Sequence, residues 1–185
     1  MNTVLSVLLL HSFFATPTLS CNQSCFCKTY QTLKVRSTLR GQYKNILQEQ
    51  KGALISNKKQ VGFAGNQFNR SPLRSEVYDV GSGKGYTISS IGQFVIIDLP
   101  QIYEINTIKF WVYDRDINLR TFDIKVQVQN SQGLIQLIYE DTVATSITKI
   151  KFSDTFVKQI LFYDNNGSSL NQYLHFVNLQ AYFEF

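Results

Sequence analysis

Cysteine is scarce: the 185 residues hold three, all between positions 21 and 27, which excludes a fold stapled by several disulfides. No apolar run reaches the roughly 20 residues that a helix needs to cross a bilayer, so a multi-span membrane protein is excluded. Acids are nearly absent from the first half: residues 1–75 carry ten basic residues against one acid, Glu49, a net +9. Histidine occurs twice, at His11 and His175. With one His past the apolar start, no thiol beyond position 27 and no Gly-x-Ser-x-Gly, no nucleophilic triad can be assembled. What is plentiful is apolar and aromatic material, 44% hydrophobic with 14 Phe and 10 Tyr, which excludes a disordered chain.

Residues 76–185 carry eight basic residues and twelve acids, a net −4, so the overall +5 belongs to the N-terminal part. A nucleic-acid binder concentrates its cations on the folded domain, and this distribution argues against one. Residues 4–15 (VLSVLLLHSFFA) are apolar at nine of twelve positions and precede Thr16-Pro17-Thr18-Leu19-Ser20. This is the pattern of a secretory h-region with a small residue before a cleavage point, although residues 1–3 supply no Lys or Arg. A mitochondrial presequence and an ordinary, partly buried extension fit the same stretch, because no acid precedes Glu49 and the chain is rich in Ser and Thr. The compartment stays open between secretory and intracellular, cytoplasmic or mitochondrial. Cys21, Cys25 and Cys27 offer three thiolates where a structural zinc wants four ligands, so no metal is expected; their oxidation state depends on the compartment. Asn22 and Asn166 begin sequons that accept glycans if the chain is secreted.

From Phe94 onward the pattern is that of strands. Residues 94–99 (FVIIDL) form a short apolar run ended by Pro100, and 105–113 (INTIKFWVY) and 122–129 (FDIKVQVQ) alternate with period 2. A turn at Asn130-Ser-Gln-Gly133 leads to 134–139, then 148–152 and 156–163 follow, separated by Ser153-Asp154. Turn formers at 164–169 precede a last strand over 174–185, with Val177, Leu179, Ala181, Phe183 and Phe185 on one face and His175 solvent-facing or hydrogen-bonded. Seven strands at this spacing predict an all-β protein, an antiparallel β-sandwich or jelly roll. The expected division is an apolar-headed basic extension over 1–44 and a domain over 45–185.

In order along the chain, YDVGSGKGYT at 78–87, the FVIIDL strand with Pro100, INTIKFWVYDRD, RTFDIKVQVQ and the closing FEF resemble the discoidin domain (coagulation-factor type C, galactose-binding-like). The nearest form is that of intracellular BTB-domain adaptor proteins. Their Tyr-Asp…Gly-Tyr-Thr lead-in is matched by Tyr78, Asp79, Gly85, Tyr86 and Thr87. Their aromatic-Asp-Arg-Asp signature is matched by Tyr113, Asp114, Arg115 and Asp116, and their Asn…Asn…Phe-His stretch by Asn166, Asn171 and His175, with Leu174 in place of the Phe. The cysteine pair that brackets many secreted discoidin domains is missing.

The resemblance implies a galactose-binding-like sandwich that binds through loops at one end. It makes Tyr78, Asp79, Tyr86, Tyr113, Asp114, Arg115, Asp116, Asn166, Asn171 and His175 the ligand or partner candidates. Against each stands a structural role: Arg115 can bridge its own carboxylate neighbours and hold the loop. Gly81-Ser-Gly-Lys-Gly85 lacks the spacing and following helix of a phosphate loop. The expectation is a non-catalytic binding module with no cofactor. Its leading role is protein–protein interaction as an accessory or structural subunit of a larger assembly; the alternative is a secreted or surface module binding carbohydrate or lipid.

Overall fold

The computed structural model describes residues 24–57, 62–64, 86–113 and 119–185. Among these residues one α-helix, α1 (Ser24–Leu39), and two short 3-10 turns precede eight strands: β1 (Leu54–Ile55), β2 (Gly62–Ala64), β3 (Tyr86–Ser90), β4 (Phe94–Val112), β5 (Phe122–Gln129), β6 (Ile135–Ala144), β7 (Ile147–Ser168) and β8 (Tyr173–Tyr182). All pairings are antiparallel, in the order β2-β3-β8-β4-β7-β5-β6, with β1 added to β4.

The two long strands build both layers. The C-terminal half of β4 pairs with β8 on one side and with the start of β7 on the other. Its N-terminal half pairs with β1 and with residues 159–163 of β7, which in turn pair with β5. Register shifts between Asp98 and Tyr103 and between Ile105 and Thr107 mark the corner where the strands pass from one sheet to the other. The inner faces meet through aromatic rings: Phe162 of the β5 sheet stands 5.5 Å from Phe176 and 6.2 Å from Phe110 of the β8 sheet, edge to face. Around them pack Ile97, Ile105, Ile108, Ile124, Val126, Ile160 and Leu179, all buried. β5 shows the alternation in its simplest form, with Phe122, Ile124, Val126 and Val128 inside and Lys125, Gln127 and Gln129 outside.

The all-β sandwich agrees with the sequence expectation; its segmentation does not. Pro100 does not end a strand, because it falls inside the register shift, where no ladder hydrogen bond is asked of its nitrogen. Ser153-Asp154 likewise lies within β7, as a bulge opposite Asn106, whose amide donates to Asp154 at 3.1 Å. Residues 164–168, read as a chain break, continue β7 with a register shift against β5. The helix α1 was not anticipated: hydrophobic periodicity is weak there, because Val35 and Leu39 lie on one side and Tyr30 and Leu33 on the other.

One acid holds this helix to the sandwich. Glu104 of β4 is buried and accepts from Arg40 Nε at 2.8 Å and Arg36 Nη2 at 3.2 Å. The Arg40 guanidinium also lies 3.7 Å from the centroid of the Phe183 ring. Burial of the chain sets in at Ile46, whose N–H donates to the Ala181 carbonyl at 2.9 Å. Glu104→Ala would leave the largely buried Arg40 cation with the longer Asp154 contact, 3.8 Å, as its only carboxylate partner among the described residues. The expected cost is about 3 kcal/mol, with early loss of amide protection over α1 measured by hydrogen exchange. Unchanged protection would show that the ion pairs do not dock the helix.

Candidate binding site

β3, β8 and β4 lie side by side, and near one end their outer face carries a group of rings. Tyr86 opens β3, with its ring 4.7 Å from His175 and 5.5 Å from Tyr113. Tyr173 lies two residues before His175 on β8, at 6.2 Å. Tyr113 follows β4 and is tied to the same strand by its N–H, which donates to the His175 carbonyl at 2.8 Å. All four side chains are half-buried, so they form a shared platform and not a closed core.

The platform exists because of a bulge. Strict alternation back from the buried Leu179 and Ala181 would point His175 inward. A register shift in β8 between the partners of Trp111 and Val112, Asn178 and Phe176, takes up Val177 as an extra residue. Upstream of it Leu174 and Phe176 face the core, and Tyr173 and His175 turn outward.

Arg120, just before β5, borders the platform with its guanidinium 5.7 Å from the Tyr113 centroid. Burial first, and the Arg120 charge second, hold His175 below its ordinary pKa, so the imidazole is neutral at pH 7. It then offers one N–H donor and one acceptor.

Of the residues singled out by sequence, the structure brings together Tyr86, Tyr113 and His175. Asn171 does a structural job: its Oδ1 accepts from Tyr173 N–H at 3.1 Å and from Ser168 Oγ at 3.2 Å, fixing the turn before β8. Asn166 is exposed near the end of β7, beside a polar pocket of about 210 Å³ that Asp123 and Thr142 also line. Tyr78, Asp79, Asp114, Arg115, Asp116 and Asn22 lie outside the described residues. Sequence reasoning missed Arg120 and Tyr173; the parity of Tyr173 with His175 was the available signal, and the bulge hid it. Among the described residues, no three His, Cys, Asp or Glu side chains gather as a metal site.

Asp164 anchors the loop that leads into β8. It is buried, and its Oδ1 accepts from Gly167 N–H at 2.6 Å. Gly167 sits at φ +75°, and a Cβ there would stand 2.6 Å from the Asn171 carbonyl oxygen, so only glycine fits. Asp164 Oδ2 and Gln93 Oε1 are both buried without a hydrogen-bond partner among the described residues, on residues whose backbones pair (Asp164 N–H to Gln93 O, 3.0 Å).

Comparison with known proteins identifies the architecture. The family 32 carbohydrate-binding module from Streptococcus pneumoniae EndoD is similar at a TM-score of 0.52 and 15% identity, over 76% of this chain and 99% of that one. CpGH89CBM32-6, produced by Clostridium perfringens, is similar at 0.51 and 14%, over 76% and 100%. Chitosan-binding module 1, from a chitosanase/glucanase of Paenibacillus sp. IK-5, is similar at 0.50 and 15%, over 76% and 98%. No protein-family model matches the chain, and no curated protein matches its sequence. At these identities the likeness establishes the fold, the galactose-binding-like sandwich that the discoidin resemblance implies.

Burial, opposed by the Gly167 and Leu174 N–H groups and reinforced by the Asp123 charge, pushes the Asp164 carboxyl up to about 6. A raised native pKa means that the group's stabilisation is complete below its unfolded value of about 3.9. It is then lost as pH climbs through 6, by roughly 3 kcal/mol for a two-unit displacement. Asp164→Asn keeps an acceptor for Gly167 and removes the titrating carboxyl. Urea unfolding at pH 5 and pH 8 is expected to show the variant gaining on the native chain at pH 8, with about half of that gain, roughly 1.4 kcal/mol, gone at pH 5. Equal shifts at both pH values would refute this account of Asp164.

Proposed function

We propose that this chain is a non-catalytic carbohydrate-binding module that takes a sugar on the outer face of β3, β8 and β4. The observation that carries the reading is the platform itself, four half-exposed rings (Tyr86, Tyr113, Tyr173 and His175) at one end of a sandwich. A pyranose presents an apolar C–H face and a rim of hydroxyls. The negative faces of aromatic rings attract the first, and a neutral imidazole with its donor and acceptor satisfies the second. Arg120, buried at the border of the platform, holds a positive charge beside the Tyr113 ring. The resemblance of the fold to modules described as carbohydrate- and chitosan-binding supports this class of ligand over a lipid.

In this reading residues 45–185 form the binding module and residues 1–44 its extension. The role of accessory subunit in a larger assembly draws its support from elsewhere in the molecule, the exposed helix α1.

The test is calorimetric titration of the purified chain with galactose, mannose, N-acetylglucosamine and chito-oligosaccharides, guided by a glycan array. Tyr86→Ala is expected to weaken the sugar bound by about tenfold or more with little change in melting temperature. Phe94→Ala, which breaks an aromatic pair (Phe94–Tyr163, 4.7 Å) outside the platform, is expected to leave binding intact. An empty array, or equal affinity in Tyr86→Ala, would reject the reading.

A further inference from the structure

The side of α1 that faces the sandwich does not close on it. Between the helix and Phe156 of β7 runs a groove of about 470 Å³, walled by Lys28, Thr32, Val35, Arg36 and Leu39. Its apolar surfaces are open, with Phe156 49% and Val35 57% exposed. Those α1 residues recur at helical spacing over twelve positions, eleven helical rises, so the groove is about 16 Å long, close to three turns of helix.

The charged residues that line the groove, Lys28 and Arg36, are both cations. Lys28, Lys34, Arg36, Arg40 and Lys44 all belong to α1 and the turn after it, and no acid occurs before Glu49. Glu104 answers Arg36 and Arg40, and Asp154 lies 3.8 Å from Arg40. No carboxylate among the described residues pairs with Lys28, and Arg36, whose side chain is 51% exposed, shares Glu104 with Arg40. The apolar segment at residues 4–15 contains no acid and cannot complement these cations.

We infer that this groove docks an amphipathic helix of a partner protein. Its apolar stripe would lie against Val35, Leu39 and Phe156, and its flanking Asp and Glu residues against Lys28 and Arg36. The geometry is that of helix-in-groove recognition, in which apolar anchors at i, i+4 and i+7 supply affinity and the charged rim selects the partner. The inference rests on the accessory-subunit reading and is independent of carbohydrate binding on the ring platform.

The full-length chain is titrated into a fluorescein-labelled helical peptide with Leu at i, i+3, i+4 and i+7 and Glu elsewhere. Binding is followed by fluorescence anisotropy. A peptide with Lys in place of Glu, and phosphatidylcholine vesicles with and without phosphatidylglycerol, are the comparisons. The Glu peptide is expected to bind and to weaken by about tenfold or more between 50 and 500 mM salt, and the Lys peptide to show no binding. Phe156→Glu and Val35→Glu, both at exposed positions, are expected to abolish binding while sugar titration and melting stay unchanged. Lys28→Glu is expected to weaken it several-fold.

Absence of binding by the Glu peptide, or equal binding by the Phe156→Glu variant, overturns the inference. So does binding to anionic vesicles alone, which would make the surface a membrane contact. If Leu8→Glu in the full chain raises peptide affinity, the occupant is the chain's own apolar segment, and the partner assignment fails. Loss of sugar binding with intact peptide binding removes the carbohydrate reading alone.

Discussion

The antiparallel pairing of β4 with β7 is the constraint on which the rest of the molecule depends. Nineteen residues of one and twenty-two of the other run through both sheets, so every other strand is positioned, directly or through a neighbour, by this pair. The corner between the sheets is made of polar or cyclic residues, Pro100, Asn106, Ser153 and Asp154, at places where the ladder is interrupted. Such residues destabilise the middle of a flat strand but cost little at a bulge, where the backbone already bends and leaves groups unpaired. Two continuous strands therefore form both layers of a core whose rings meet edge to face.

A second bulge turns fold into candidate function. Without the extra Val177, β8 would keep one alternation from end to end, and a histidine with a pKa lowered by burial and a neighbouring cation would be a core residue. With it, the first part of the strand presents Tyr173 and His175 outward while Leu174 and Phe176 complete the interior. Tyr86 and Tyr113 then meet them at the end of β3 and β4. Asp164 and Gly167 hold the loop that feeds this bulged strand, and that loop carries a buried carboxyl with an unpartnered oxygen. Tension of this kind beside a candidate binding face is a recurrent pattern, since the groups that fix a loop need not be those that maximise stability.

Period-2 alternation made β5 legible residue by residue, because one of its faces is wholly buried and the other wholly polar. The continuity of β4 and β7 was not legible. Proline and Ser-Asp are strong local punctuation, and only the partner strand reveals that they fall at a register shift. α1 escaped notice because helical periodicity reports a buried stripe, and this helix is fastened by two arginines on one acid instead. The site was half legible. Tyr86, Tyr113 and His175 came from the order of motifs, whereas Arg120 and Tyr173 join them only through strand adjacency and the bulge.

The uneven charge of the chain acquires a physical meaning in this arrangement. The basic N-terminal part uses two of its cations to attach to a single buried acid of the acidic domain. The attraction thus fixes the helix without neutralising it. Phe183, under Arg40, and His175, in the platform, lie eight residues apart along the last strand, roughly 26 Å in an extended chain. That distance exceeds the Debye length of about 8 Å at physiological salt, so the cations of α1 exert little influence on the ring platform. In the proposed readings one face binds through ring stacking and neutral hydrogen bonds, and the other through long-range attraction and apolar insertion. Salt should therefore separate their occupancies, because only the second depends on charge that solvent ions can screen.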